Sequence, residues 1–360
     1  MKKILYIETA LTGHHKIYFM TLAQAMQERY ELHCVLPSEL RETDFPVKIV
    51  SLSAEKKNFL AQWFSYLRWM RQIGKTIRDV KPDIVHFLYG DALYRYFGFG
   101  LGSLKKVKTV VTLHQIRRSR LRDFSVRHIC RASDAVVVHT DFLRRSFPSL
   151  NLRVIDYPDF SVQTYVQREA KERLGIPQDA PLLLALGGTR RDKGLDLLLR
   201  ALSTVKMPFF LLIAGEELDF KREQIEALTA GYRKNTFLFL HHFSQEEHLL
   251  YLAASDIVVL PYRKSFDGAS GPLSEGVSNQ KIIVGPEHGS LGELISEYHL
   301  GYSFETENVS SLAEAVGRAL SEPFVFDSHY QSYREKVSVA RFCRSYAELY
   351  QKMEEEERCK

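Results

Sequence analysis

Two acidic residues on either side of a turn give the strongest chemical signal in this sequence. Asp267 and Glu275 stand eight residues apart, with Ser270-Gly271-Pro272-Leu273 between them. The apolar run at 257–260 predicts a buried strand before the turn, and Pro272 suits the first turn of a helix after it. Backbone N–H groups at a helix start favour an anion such as phosphate, whereas carboxylates there are suited to accepting hydrogen bonds from hydroxyls. The pattern predicts a pocket for a nucleotide sugar.

A glycine-rich loop with two cations follows another predicted strand, at 182–186. Gly187 and Gly188 allow the backbone to approach a ligand closely. Arg190 and Lys193 can neutralise a diphosphate, the first as a planar fork and the second as a point charge. The alternative is an ordinary helix start with solvated charges, because short glycine motifs often occur without a ligand.

Three histidines in the first half of the chain follow predicted strands. His14 and His15 come after Gly13 in the loop behind the first strand, and His114 ends the strand predicted at 109–113. Ligands of open α/β sheets bind at the carboxyl edge, so we interpret His114 as a functional residue rather than a core histidine. For His14 and His15, contact with a ligand and simple capping of a helix remain alternatives.

Apolar runs alternate with helical patterns along all 360 residues. Strands are predicted at 4–7, 32–36, 84–87, 109–113 and 135–139, and again at 182–186, 209–214, 236–240, 257–260 and 282–284. This alternation predicts two doubly wound α/β domains with parallel sheets. We place the domains at 1–157 and 158–328. A C-terminal helix at 329–360 is expected to cap the second domain or to cross back onto the first.

The start of the chain and its cysteines predict a cytoplasmic protein. Glu8 interrupts the first apolar run, which is therefore too short for a signal peptide. The four cysteines at 34, 130, 343 and 359 show no metal-ligand spacing, so inert thiols are expected. No apolar run approaches the roughly 18 residues of a membrane span.

Positive charge is concentrated between residues 105 and 145, where eleven Lys or Arg face three acids. Arg117, Arg118 and Arg120 lie close together in this stretch. They predict contact with an anionic membrane surface, which would place the protein on the inner face of the membrane, or with a phosphorylated acceptor. A solvated basic face is the alternative. We expect no nucleic-acid partner, because nucleic-acid binding would explain the basic residues but not the acid pair.

Five motifs occur in an order that resembles one protein family. They are Gly187-x-x-Arg190-x-x-Lys193-Gly194, Phe210-Leu211-Leu212-Ile213-Ala214-Gly215, Ser255-Asp256-Ile257-Val258-Val259-Leu260-Pro261-Tyr262, the pair Asp267 and Glu275, and Gly289-Ser290-Leu291-Gly292-Glu293-Leu294. Together they are similar to the donor-binding half of retaining glycosyltransferases of family 4. That family has the GT-B fold, in which two Rossmann-like domains face a cleft. The family has glutamate at both acidic positions, whereas this chain has Asp267 at the first.

The resemblance implies a role for each candidate residue. Glu275 accepts hydrogen bonds from the ribose hydroxyls, and Asp267 lies near the transferred sugar. Arg190 and Lys193 hold the diphosphate and stabilise the charge on the leaving group, while His114 lies against the donor sugar. The other expected donor contacts are Gly187, Gly188, Gly215, Phe243, Ser270, Gly271, Pro272 and Leu273. The expected acceptor contacts are Gly13, His14, His15, Arg117 and Arg118.

The activity implied is transfer of a hexose, with retention, from a UDP- or GDP-linked donor. The expected acceptor is a glycan or lipid-linked glycan in cell-surface polysaccharide synthesis. No metal or other cofactor is expected, because the chain has no Asp-x-Asp and the Arg, Lys and helix start supply positive charge. Two alternatives remain: a sugar-nucleotide epimerase or hydrolase of the same architecture, and a non-catalytic member or partner subunit.

Overall fold

The computed structural model describes residues 1–11, 14–38, 45–52, 59–104, 106–114, 116, 120–161, 165–266 and 270–358. The chain divides into two compact units. The first unit contains Met1–Asp156 and Val339–Lys360, and the second contains Tyr157–Ser338.

The first unit is built on a parallel sheet of seven strands. These are β1 (Lys3–Ile7), β2 (Glu31–Leu36), β3 (Val47–Ile49), β4 (Ile84–Phe87), β5 (Lys108–Leu113), β6 (Ala135–Val138) and β7 (Leu152–Val154), in the order β3-β2-β1-β4-β5-β6-β7. The helices between them are α1 (His14–Met26), α2 (Phe59–Val80), α3 (Asp91–Arg95), α4 (Arg120–Ala132) and α5 (Asp141–Arg145). Every residue of β4 and β6 is buried, as expected where helices cover both faces of a parallel sheet.

The second unit repeats this plan with six parallel strands. They are β8 (Leu182–Leu186), β9 (Phe210–Ala214), β10 (Thr236–Phe239), β11 (Ile257–Val259), β12 (Ile282–Pro286) and β13 (Gly301–Phe304), in the order β10-β9-β8-β11-β12-β13. Its helices are α6 (Gln167–Arg173), α7 (Leu195–Leu202), α8 (Arg222–Leu228), α9 (Gln245–Ala254), α10 (Gly271–Ser278), α11 (Gly289–Glu297), α12 (Val309–Ser321) and α13 (Ser328–Lys336).

The end of the chain forms two helices rather than one. After α13, the helix α14 (Val339–Arg358) belongs to the first unit. Buried polar groups hold α14 there: His86 Nδ1 lies 2.7 Å from the Tyr350 hydroxyl and His86 Nε2 lies 2.8 Å from that of Thr112. Burial lowers the pKa of His86 to about 3, so this histidine is a neutral part of the core.

Both sheets reverse their strand order beside the first strand of the unit. The reversal lies between β1 and β4 in the first unit and between β8 and β11 in the second. Ligands of doubly wound sheets bind beyond the carboxyl ends of the strands at such a switch point. The predicted fold is confirmed, and it identifies one edge of each sheet as the place to look for a site.

Candidate functional site

The ends of β8 and β9 meet through backbone alone. The N–H of Gly187 donates to the carbonyl of Ala214 at 2.7 Å. Gly187 and Gly215 have φ values of 109° and 148°, which favour glycine. A Cβ atom on Gly215 would lie 2.8 Å from the nitrogen of Gly188 and would overlap the Gly187 carbonyl. The two strand ends therefore form a floor of peptide groups that leaves no room for a side chain at Gly215.

A buried threonine fixes the loop after β9 to this floor. The hydroxyl of Thr189 donates to the carbonyl of Phe220 and accepts from the N–H of Leu218, each at 2.8 Å. The backbone N–H of Thr189 also donates to the carbonyl of Glu216 at 3.0 Å. Because Thr189 is only 2% exposed, these bonds hold residues 216–220 in place without competition from water.

Lys193 directs its ammonium group at the floor. This residue ends a short 3₁₀ turn, Arg191–Lys193, and Nζ occupies the space that a side chain on Gly187 would need. Nζ also lies 5.7 Å from the centre of the Tyr262 ring, within the range of a cation–π contact. Within the described ranges, no carboxylate forms an ion pair with Lys193. Among those residues the charge of Lys193 has no neutralising acid, and it lies directly beside the peptide backbone of Gly187.

Arg190, the second predicted cation, pairs with a neighbouring acid. Its Nε and one terminal nitrogen donate to the two oxygens of Asp192 at 3.0 and 2.9 Å. The side chains of Arg190 and Asp192 are 41% and 28% exposed, so the pair contributes only about 0–1 kcal/mol. An anionic ligand can therefore compete with Asp192 for the guanidinium group.

The loop after β11 is tied to the cation-bearing loop. Arg263 donates from one terminal nitrogen to both carboxylate oxygens of Asp196 at 2.7 Å, and from Nε to the carbonyl of Arg191 at 2.9 Å. These loops follow β8 and β11, the two strands at the switch point. Contacts between the loops after β8 and β11 therefore fix the segment that carries Lys193.

A cavity of about 240 Å³ opens above the floor, beyond the carboxyl ends of β8, β9 and β10. It is lined by Gly188, Arg190, Lys193, Gly215, Glu216, Leu218, His241, His242 and Phe243. Five of these residues were predicted as donor or catalytic contacts. The loop that begins at His242 was also expected to lie near the base. Sequence reasoning missed Glu216, Leu218 and His241, although their position just beyond strand ends was a usable signal.

The helix that carries Glu275 begins as the turn predicts. Ser270 caps α10 by accepting a hydrogen bond from the N–H of Leu273 at 3.4 Å, and Pro272 lies in the first turn. Glu275 Oε1 lies 3.4 Å from the place that a Cβ on Gly271 would take. The carboxylate of Glu275 thus folds back toward the start of its own helix.

Contacts from Glu275 and from the cap of its helix lead toward the cavity. On one side, Glu275 Oε2 lies 3.1 Å from His248 Nε2, and the His248 ring lies 5.4 Å from that of Phe243 in the cavity wall. On the other side, the hydroxyl of Ser270 donates to that of Tyr262 at 3.4 Å, next to Lys193. Asp267, the other predicted acid, lies outside the described residues.

The switch point of the first unit also gathers titratable groups. Glu8 follows β1, is 1% exposed and accepts hydrogen bonds from the N–H groups of Thr9 and Ala10 at 2.7 and 3.0 Å. Burial raises the pKa of Glu8 to about 8 despite these bonds, so its carboxyl group is mainly neutral at pH 7. His114 Nε2 lies 2.8 Å from the carbonyl of Leu88, just after β4.

Aromatic rings surround His114. Its ring lies 4.7 Å from that of His139, whose pKa burial lowers to about 4, and 5.9 Å from that of His15. The His15 ring in turn packs 4.2 Å from Tyr89. The structure therefore brings two of the predicted histidines together. The side chain of His14 and residues Gly13, Arg117 and Arg118 lie outside the described part.

Two family models match the two units of this fold. "Glycosyltransferase Family 4" matches residues 16–154 and "Glycosyl transferases group 1" matches residues 166–338. The chain belongs to the family 4 glycosyltransferases. The resemblance drawn from the motifs is therefore confirmed. No curated protein sequence matches the chain.

Solved glycosyltransferase structures share the GT-B fold of this family 4 chain. Sucrose-phosphate synthase from Thermosynechococcus elongatus is 16% identical, with a TM-score of 0.77 over 98% of this chain and 99% of the other. Anabaena HepE in complex with UDP and glucose is 14% identical, with a TM-score of 0.74 over 98% and 100%. The lipopolysaccharide outer core galactosyltransferase WaaB, in its apo form, is 12% identical, with a TM-score of 0.73 over 97% and 99%. Among the helices described for this chain, none is long and apolar enough to cross a bilayer.

Proposed function

We propose that this family 4 chain is a retaining hexosyltransferase that takes its sugar from a nucleoside diphosphate donor. The observation that carries the proposal is the placement of Lys193 and Arg190 around a floor of peptide groups at the switch point of the second unit. This arrangement combines fixed positive charge with close backbone approach, as a diphosphate requires.

Lys193 and Arg190 would act mainly on the leaving group. Breaking the bond between the sugar and the diphosphate places negative charge on the departing phosphate oxygen. A cation already held beside that oxygen stabilises the transition state more than the ground state. We therefore assign the electrostatic role to Lys193 and Arg190 together with the α10 start, and propose that transfer requires no metal ion.

The nucleotide would extend from the diphosphate toward the cavity wall and α10. Glu275 would accept hydrogen bonds from the ribose hydroxyls, and the loop at 241–243 would lie beside the base. UDP is our first choice of nucleotide, since the similar protein HepE was solved with UDP and glucose. A GDP-linked donor remains the alternative to be tested beside it.

The acceptor would bind at the switch point of the first unit. The rings of His15 and His114 meet there beside Tyr89, and Glu8, which follows β1, supplies a mainly neutral carboxyl group. Hydroxyl-rich acceptors are recognised by such groups, which both donate and accept hydrogen bonds. We propose a glycan or lipid-linked glycan of the cell surface, an acceptor class in keeping with WaaB, which acts on the lipopolysaccharide outer core.

The experiment that tests the donor proposal is a thermal-shift screen with UDP, GDP, ADP and their hexose conjugates. A ligand at 100 times its Kd adds about 2.7 kcal/mol to the free energy of unfolding. We expect a clear rise in Tm with one nucleoside diphosphate and a smaller rise with the corresponding monophosphate. If no nucleotide raises Tm, the donor proposal is wrong. Slow release of free nucleoside diphosphate without acceptor would separate a transferase from a non-catalytic member.

An apolar and basic surface on the first unit supports peripheral membrane binding. Phe64 on α2 is 65% exposed, and Phe124 on α4 is 58% exposed. Phe99, which lies between these two helices in sequence, is 54% exposed. A ring contact connects α2 to Phe99, since the Trp63 ring lies 5.4 Å from that of Phe99. Further exposed members are Leu60 and Leu121, and the exposed cations of α2 and α4 are Arg68, Arg71, Lys75, Arg78, Arg127 and Arg131. Aromatic side chains flanked by cations suit an anionic bilayer.

Replacing Phe64 and Phe124 together with serine should release the protein from anionic vesicles. Less apolar area would enter the lipid, while the buried face of α2, with Tyr66, Trp69 and Ile73, is untouched. Cosedimentation with vesicles containing phosphatidylglycerol measures the effect, and we expect at least a fivefold loss of bound protein, about 1 kcal/mol. The control is Val325→Ser, since Val325 is 73% exposed in the second unit. Equal sedimentation of both variants would refute the membrane role.

A further inference from the structure

His248 is the closest described partner of the Glu275 carboxylate. The histidine lies in α9, four residues after the helix cap Ser244, and its Nε2 is 3.1 Å from Glu275 Oε2. The His248 and Glu275 side chains are 21% and 20% exposed, so water screens the contact only in part. No motif pointed to His248, because the two residues come from separate segments of the second unit.

Other charged and aromatic groups limit how this histidine can move. The Phe243 ring lies 5.4 Å away and also lines the cavity. The charge of Asp159 also acts on His248; this carboxyl group is 6% exposed and accepts hydrogen bonds from the N–H and hydroxyl of Ser161. Burial lowers the pKa of His248, but the Glu275 and Asp159 carboxylates outweigh it, so that the pKa is raised overall. The proton that Nε2 donates to Glu275 is therefore retained more firmly than in a free histidine.

We infer that His248 is a positioning residue for the nucleotide, which holds Glu275 Oε2 so that Oε1 stays free for a ribose hydroxyl. The inference rests on the proposed function, because it assigns the ribose to Glu275. Oε1 lies 3.4 Å from the place that a Cβ on Gly271 would take, and Gly271 itself has no side chain to fill this space. The 3.1 Å contact between Nε2 and Oε2 restrains rotation of the carboxylate away from that position. Because the Glu275 carboxylate is already ordered before the ligand binds, less conformational entropy is lost on binding. The affinity for hydroxyl-bearing ligands is therefore higher.

The test compares the Kd of UDP with that of its 2′,3′-dideoxy form. The same comparison is made for GDP and for ADP. A hydroxyl donated to a charged acceptor contributes about 1.5–3 kcal/mol, so the unmodified protein should prefer the natural nucleotide by at least about tenfold in Kd. In His248→Ala this preference should fall to about twofold, because Glu275 loses its orientation. Calorimetric titration gives both constants for each variant.

Two further variants separate positioning from a general effect on the fold. In His248→Gln the side-chain amide still donates a hydrogen bond, so most of the preference should return. His299→Gln is the matched control, since His299 Nδ1 lies 2.7 Å from a carboxylate oxygen of Asp327 elsewhere in the second unit, and the nucleotide preference of this variant should not change. A full preference in His248→Ala, or an equal loss of affinity for both nucleotides, would overturn the inference alone. Absence of any nucleotide binding by the unmodified protein would overturn the proposed function together with it.

Discussion

Replacing Lys193 with alanine should lower kcat for sugar transfer by about 10²- to 10³-fold, the range seen when one preorganised charge-stabilising group is removed. The ammonium lies against Gly187 at the floor of the cavity and has no carboxylate partner among the described residues. Its charge matters most when negative charge develops on the leaving phosphate. The Kd of the donor should therefore rise much less than kcat falls. Single-turnover kinetics with calorimetric donor binding measure the two effects separately.

Lys206→Ala is the matched control for this variant. Lys206 is an exposed lysine before β9, at the amino edge of the same sheet, and its loss should leave kcat unchanged. Lys193→Ala should also fold normally, because its side chain forms no hydrogen bond to the loops around it within the described chain. A kcat within threefold of the unmodified protein would contradict the role of Lys193 at the diphosphate.

Glu275→Ala should reduce kcat/KM by about 10- to 100-fold while the fold stays intact. A hydrogen bond from a ribose hydroxyl to the free oxygen of this carboxylate contributes about 1.5–3 kcal/mol, and its loss gives an effect of this size. The start of α10 depends on the Ser270 cap and on Pro272 instead, so the helix should persist. Steady-state kinetics give kcat/KM, and circular dichroism with a melting curve checks the fold.

Glu297→Ala serves as the comparison, since Glu297 is an exposed acid at the end of α11. Its kcat/KM and Tm should match those of the unmodified protein. Near-normal turnover of Glu275→Ala would remove Glu275 from the donor site. A Tm drop of more than about 5 °C, which corresponds to roughly 2 kcal/mol for a unit the size of Tyr157–Ser338, would show that Glu275 matters for folding instead.

The strands that the sequence predicts are those with continuous apolar runs. β4, β6 and β8 are buried along their whole length, and this burial requires such runs. The strands that it missed, β3, β7 and β13, lie at sheet edges. Each includes partly or fully exposed residues, such as the last two of Val47–Ile49. An edge strand pairs on one side only, so its sequence is not forced to be apolar.

The candidate site was predictable where its residues are neighbours in sequence. Gly187, Gly188, Arg190 and Lys193 lie within one loop, and the α10 start lies in one turn, so local spacing was sufficient. Two features depend on the fold instead: the ion pair that Asp196 forms with Arg263 across 67 residues of chain, and the approach of His248 to Glu275 across 27 residues. A partner brought in from another helix leaves no periodic or spacing signal in a single sequence.

A cavity floor made of peptide groups also limits how donor choice can evolve. Gly187 and Gly215 have backbone angles that other residues rarely adopt, and a side chain on Gly215 would collide with its neighbour. A substitution at either glycine would distort the cavity floor before it changed which donor the enzyme prefers. Sequence differences among descendants of this protein are therefore expected in the cavity walls, at 216–218 and 241–243. Libraries meant to change the nucleotide or sugar should randomise those walls and keep both glycines fixed.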